Sequence, residues 1–127
     1  MMWGRSKRLK CERIMEHINR IEVQGRIGNL RLNEFNGSKV ANFSLVTEYL
    51  YKSREMGAVN EVTWHNVVAW EGKEMPPFER LDKGLPLNVT GRLRVSKYVS
   101  ADGTEKQFYE IVANRVRILT EEEDYRE

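Results

Sequence analysis

The residues with most chemical capacity in this chain lie in two stretches, VTWHNVVAW (Val62 to Trp70) and NVTGRLRVSKY (Asn88 to Tyr98). Side chains of an extended strand alternate between faces, so Trp64, Asn66 and Trp70 project together. In the second stretch Asn88, Thr90, Arg92, Arg94, Ser96 and Tyr98 share one face, and Leu87, Val89, Gly91, Leu93 and Val95 share the other. The aliphatic face suits a barrel interior. The face with two arginines suits solvent, because an arginine pair is rarely buried without partners. Flat aromatic rings can cover nucleobases at roughly 1–3 kcal/mol per base. Arginine and lysine attract phosphates and release their condensed counterions. Aromatics and cations interleaved on one surface are what a single strand requires. A duplex reader instead needs a helix or ribbon that fits a groove, and this chain shows none.

The tryptophan strand by itself supports two readings. Trp64 and Trp70 could be core residues with Asn66 a satisfied buried amide, since tryptophan is more often largely buried than exposed. Alternatively they face outward, and His65, Val67 and Ala69 supply the interior on the reverse. The outward orientation of Arg92, Arg94 and Tyr98 on the neighbouring stretch favours the second.

The elements that must position these residues follow from the period-2 pattern. In NRIEVQGRIGN, Ile21, Val23 and Ile27 share a face opposite Glu22, Gln24 and Arg26, and Gly25 and Gly28 mark a bulge or sharp bend. Asn36-Gly37 is a hairpin turn signal, and it leads into KVANFSLVTEY with Ala41, Phe43, Leu45 and Thr47 aligned. A polar connection, KSREMGAVNE, precedes the tryptophan strand. Between Pro76-Pro77 and Gly84 there is room for one short helix of two turns. The arginine strand follows, then a loop with Asp102-Gly103, then QFYEIVANRVRIL.

The expected fold class is therefore all-β: five strands with one short helix between strands 3 and 4, the order of an OB-fold Greek-key barrel. Periodicity alone also permits another small barrel or a sheet with a helix packed on it.

The whole chain bounds the remaining possibilities. Its 127 residues, 40% hydrophobic and 31% charged, suit one domain with a modest core. No apolar run approaches the roughly 18 residues of a membrane span. The basic start, MMWGRSKRLKCERI, lacks the apolar middle of a secretory signal. Cys11 cannot form an internal disulfide, and neither His17 nor His65 sits in a metal-ligand cluster, so no metal or cofactor is expected. No nucleophile or paired acid stands with His65, so no enzyme is expected either. The net charge of +2 hides an asymmetry: residues 1–14 carry a net +4, and TEEEDYRE a net −4. The middle is only +2, so any polyanion site must come from charge placement.

With these residues on the page, the chain resembles the bacterial-type single-stranded DNA-binding proteins, a family with the OB-fold. The resemblance spans about residues 18–119. It is carried by NRIEVQGRIGN, VANFSLVT, VTWHNVVAW with the following GK, and DKGLPLNVTGRLRVSKY. Position by position, it implies base-stacking aromatics at Tyr51, Trp64, Trp70 and Tyr98, with Tyr49 an alternative to Tyr51. Two of the four are tyrosines where well-known members have tryptophan, which implies less contact per base. It further implies basic DNA contacts at Lys73, Arg92, Arg94 and Lys97, while Ser96 stands where another positive charge is expected. It makes His65 a structural or subunit-contact residue.

The same resemblance implies a non-enzymatic, sequence-independent binder of single-stranded DNA in replication, recombination and repair. It also implies a homo-oligomer, expected as a tetramer, in the cytoplasm at the nucleoid. An OB-fold protein-interaction module of the primosome kind, or an RNA-binding OB module, is the alternative. The ends depart from the family. Residues 1–16 are expected as a flexible basic extension, either upstream of a start at Met15 or an arm adding phosphate contacts. Residues 17–119 are the OB-fold domain. Residues 120–127 are a short acidic tail, without the Gly/Pro-rich linker and Pro-Phe tip through which family members recruit other proteins. The resemblance therefore does not carry that recruitment over to this chain.

Overall fold

A computed structural model describes residues 17–120 of the chain. The expectations for the basic extension, including Cys11, and for the acidic tail lie outside the described residues. Five strands are present: β1 (Ile21–Phe35), β2 (Ser38–Ser53), β3 (Gly57–Trp70), β4 (Pro86–Val99) and β5 (Glu105–Ile118). They close into a barrel in the order β1-β2-β3-β5-β4. Neighbours are antiparallel except β3 and β5, which run parallel where Val67 and Val68 meet Ile111 and Val112. That order, with the crossover to β4, is the OB-fold arrangement expected from the pattern.

Each turn forms where its residues allow. Asn36 and Gly37 both take positive φ, 52° and 83°, the geometry that matches the twist of a two-residue hairpin. The loop from β4 to β5 closes through Asp102, whose carboxylate accepts from the Thr104 amide at 3.0 Å and from the Ser100 hydroxyl. Those two hydrogen bonds favour the charged form and hold the Asp102 carboxyl at about 2. The polar connection KSREMGAVNE is shorter than it reads. β2 runs on to Ser53 and β3 starts at Gly57, and the Ser53 hydroxyl accepts from the Glu55 and Met56 amides at 3.2 and 3.3 Å. The result is a long two-stranded arm whose pairing is unbroken from Val40–Trp70 to Ser53–Gly57.

The core gathers the faces that alternation assigned. Ala41, Phe43 and Leu45 of β2 meet Val67 and Ala69 of β3 and Leu87 and Val89 of β4, all buried. Ile27 comes from β1, and Ile111, Ala113 and Val116 from β5. Gly25 is needed where β1 leaves β4 to join β2: a β-carbon there would lie 2.0 Å from the Val46 carbonyl oxygen.

Two expectations change. The helix of two turns is a single 3₁₀ turn, Phe78–Arg80. Pro76 and Pro77 lack amide donors, and the backbone is already extended again at Leu81, where φ is −76° and ψ 140°. The turn instead plugs the barrel with Phe78 and Leu81, both buried, and the connector is stitched to β1 by Gly84 N–H to Ile27 O (2.8 Å) and Ile27 N–H to Leu85 O (3.1 Å). The second change concerns β4. Leu87, Val89 and Gly91 are interior as expected, but Leu93 and Val95 are exposed. β3 pairs with β5 at Ile111 and Val112, and past Ile111, which lies opposite Leu93, β4 and β5 continue as a two-stranded ribbon with no further pairing to β3.

Candidate nucleic-acid interface

Strand register arranges the outward surface of β1, β2 and β3 in ranks. Trp64 lies opposite Val46, Asn66 opposite Ser44, Val68 opposite Asn42, and Trp70 opposite Val40. On the other side of β2, Asn42 lies opposite Arg31 and Val40 opposite Asn33. The two tryptophans thus bracket two polar ranks over a rise of about 20 Å. Trp64 is 59% exposed and Trp70 43%, so neither belongs to the core, which their strand fills from its reverse with Val67 and Ala69. Outward orientation holds for both.

Each indole has a support. Trp64 lies over Gly28, beside the register shift of β1 between Ile27 and Leu30. There the Ser44 hydroxyl accepts from the Asn29 amide at 2.9 Å. Trp70 leans on Phe35, with ring centroids 6.4 Å apart and planes at 44°. Behind Trp64, His65 points the opposite way and shares a 3.0 Å hydrogen bond with the Thr47 hydroxyl. Partial burial pushes the His65 imidazole below its ordinary value of 6.5.

The β4–β5 ribbon forms the facing wall. Tyr98 and Phe108 project from one face of it and meet edge-on, centroids 5.9 Å apart at 63°. Together with Asn29, Arg31, Asn42, Ser44, Asn66 and Glu110 they line an open groove of about 990 Å³. Glu110 is buried at its base, directly opposite Arg94. The Arg94 guanidinium is committed to that carboxylate, with Nε donating to Glu110 Oε2 at 3.0 Å and a second, shorter contact from Nη2. Arg92, one rank nearer the barrel on the same face, is exposed.

The residues singled out in the sequence are therefore not one cluster. Trp64 and Trp70 share one face, and Arg92, Arg94 and Tyr98 share another that turns toward the groove. Lys73 is exposed in the turn just after Trp70. Lys97 alternates onto the other side of the ribbon, with Val95 and Val99. Tyr51 is five residues from Val46 on an unbroken strand, so it alternates away from the Trp64 face and pairs instead with Tyr49, centroids 5.8 Å apart. Phe108, Phe35 and the amide ranks were not singled out. The hairpin turn at Asp102-Gly103 carried a signal for Phe108: it sets Ser96 opposite Phe108 and thereby puts the ring on Tyr98's face.

Comparison with known proteins agrees with this geometry. A family model described as the single-strand binding protein family matches residues 18–119. A single-stranded DNA-binding protein of Neisseria meningitidis is 31% identical over 104 residues, covering 80% of this chain and 60% of that protein. Another, from Xanthomonas campestris, is 34% identical over 104 residues with the same coverage. The chain thus spans about 60% of the length of the curated relatives it matches. Among solved structures, a Plasmodium falciparum SSB in complex with ssDNA superposes with a TM-score of 0.69 at 26% identity, covering 83% of this chain and 96% of that one.

Proposed function

The chain belongs to the single-strand binding protein family, and from that premise we propose that it binds single-stranded DNA without strict sequence preference and shields it during replication, recombination and repair. The observation that carries this reading is the pair of exposed tryptophans on one outward face of the barrel, separated by polar ranks and faced by the Tyr98–Phe108 wall. Every nucleobase has a π face, so stacking on Trp64, Trp70 and Tyr98 binds a strand regardless of sequence, and the exposed cations at Lys73 and Arg92 hold its phosphates, while Lys97 lies on the back of the ribbon. Tyr51, turned to the opposite face of the β2–β3 arm beside Tyr49, does not continue this stacking surface. Arg94 serves through Glu110, by neutralising a carboxylate at the base of a groove meant for a polyanion. The protein acts by binding and not by catalysis, in the cytoplasm at the nucleoid. Among the described residues no helix is long and apolar enough to cross a membrane.

Titration with oligo-dT at low salt tests the proposal. Tryptophan fluorescence should be quenched, saturably, with an affinity that falls as salt rises and that exceeds the affinity for a duplex of equal length. No quenching at low salt, or equal affinity for duplex, overturns it.

A second reading, an assembly module, is favoured by the apolar back of the β4–β5 ribbon, where Leu93, Val95, Val99 and Tyr109 are exposed. We read that strip as a contact between copies of the chain in a tetramer that carries several grooves. Replacing Trp64 and Trp70 by alanine separates the two: oligo-dT binding collapses if the tryptophans are the DNA platform and barely changes if the barrel serves assembly alone. Light scattering with and without oligo-dT then gives the subunit number.

A further inference from the structure

The groove between the amide ranks and the β4–β5 ribbon contains an aromatic side chain with a free surface, Phe108. It remains 37% exposed even though it packs edge-on against Tyr98. Across from it, the carboxamides of Asn42 and Asn66 occupy adjacent ranks of the floor. Neither side chain has a hydrogen-bond partner among the described residues. A carboxamide offers a donor and an acceptor side by side, which is the complement of a nucleobase edge rather than of a phosphate. The carboxylate that would repel a nucleotide here, Glu110, is already neutralised by Arg94. The groove thus offers a π face on one wall and, beside the Arg31 cation, uncharged donors and acceptors on its floor, midway between Trp64 and Trp70.

We propose that Phe108, Asn42 and Asn66 form a slot for one nucleobase, which stacks on Phe108 while its edge hydrogen-bonds to the two carboxamides. This rests on the single-strand reading above and deepens it. Binding is sequence-independent over most of the strand, but one position reads base identity. Phosphate contacts and stacking are nearly blind to the base, whereas edge hydrogen bonds are not, because the four bases differ in their donors and acceptors.

The test uses the full chain and three probes, oligo-dT, oligo-dC and oligo-dA, each titrated at several salt concentrations. Phe108→Ala and Phe108→Leu should weaken all three by roughly 5- to 100-fold, the effect of one stacking contact. The slope of log affinity against log salt should stay as in the unmodified chain, since no phosphate contact is removed. The leucine variant keeps apolar bulk on the ribbon, so a loss there reports the π face and not packing. Asn42→Ala and Asn66→Ala should change the ratios among the three affinities by roughly fivefold or more. Self-stacking of oligo-dA is common to every variant and cancels in those comparisons. Unaltered affinity of Phe108→Leu, or asparagine variants that weaken all three oligonucleotides by one factor, overturns the slot and leaves the single-strand reading standing. Failure of that reading looks different: the unmodified chain would then show no salt-sensitive quenching with any of the three.

Discussion

Trp64 rests on Gly28. A β-carbon at residue 28 would come within 2.3 Å of Trp64 Cζ3 and 2.8 Å of the Ser44 hydroxyl oxygen. The glycine that bends β1 is therefore also the seat of an exposed indole three ranks of side chains away from Trp70, and the orientation of the stacking platform depends on a side chain being absent.

Gly28→Ala should displace the outer ring of Trp64 and press on the Ser44 hydroxyl without unfolding the barrel, because the obstructing atoms belong to side chains and not to backbone. We expect a shifted tryptophan emission maximum in the free protein and an oligo-dT affinity lower by about threefold to tenfold, part of one stacking contact. An unaltered spectrum together with unaltered affinity would contradict this placement.

The two arginines of β4 should behave differently although they lie two residues apart on one face. Arg92 has no hydrogen-bond or ion-pair partner among the described residues, so Arg92→Ala should lower the slope of log affinity against log salt by about 0.7 and leave stability nearly unaltered. Arg94→Ala strips the partner from the buried Glu110 carboxylate. Denaturant unfolding should then show a loss of about 1–3 kcal/mol, while the salt slope is maintained. A salt slope lowered by Arg94→Ala as much as by Arg92→Ala would show that Arg94 is a phosphate contact after all.

The His65–Thr47 pair predicts a pH dependence. Burial lowers the folded imidazole below its ordinary value of 6.5, so between those two values the unfolded chain binds more protons than the folded one. Stability therefore rises with pH in that window. The contribution is complete above about 6.5 and is lost as pH falls through the folded value. Thermal unfolding between pH 7 and 5 should show the loss, and His65→Gln, which can still hydrogen-bond Thr47, should flatten that part of the curve.

Phe78 is the deepest residue of the 3₁₀ turn, 4% exposed. Phe78→Ala should cost about 3–5 kcal/mol, through lost transfer free energy and the cavity left at the barrel end. Urea unfolding should show a lower midpoint with the slope unaltered. A cost below about 1 kcal/mol would mean that the connector collapses into the gap.

What the sequence by itself determined is whatever depends on neighbours along one strand or across one tight turn. Alternation put Trp64, Asn66 and Trp70 on one face and Ala41, Phe43 and Leu45 on another, and Asn36-Gly37 and Asp102-Gly103 marked hairpins that then set register. Strand count and the slot for the connector were legible for the same reason. The tertiary structure alone decided how far each apolar face stays covered. Leu93 and Val95 continue the interior pattern of Leu87 and Val89, yet both are exposed: Leu93 lies opposite Ile111, at the last β3–β5 pair, and Val95 lies opposite Tyr109, beyond it. It also decided who faces whom across the barrel. Arg94 looks like a free cation in sequence and is tied to Glu110, sixteen residues on. Phe108 reaches the floor built by β1, β2 and β3 only because closure brings the β4–β5 ribbon over it. Alternation is a local consequence of backbone geometry, whereas these contacts depend on strand order, closure and the point where pairing ends.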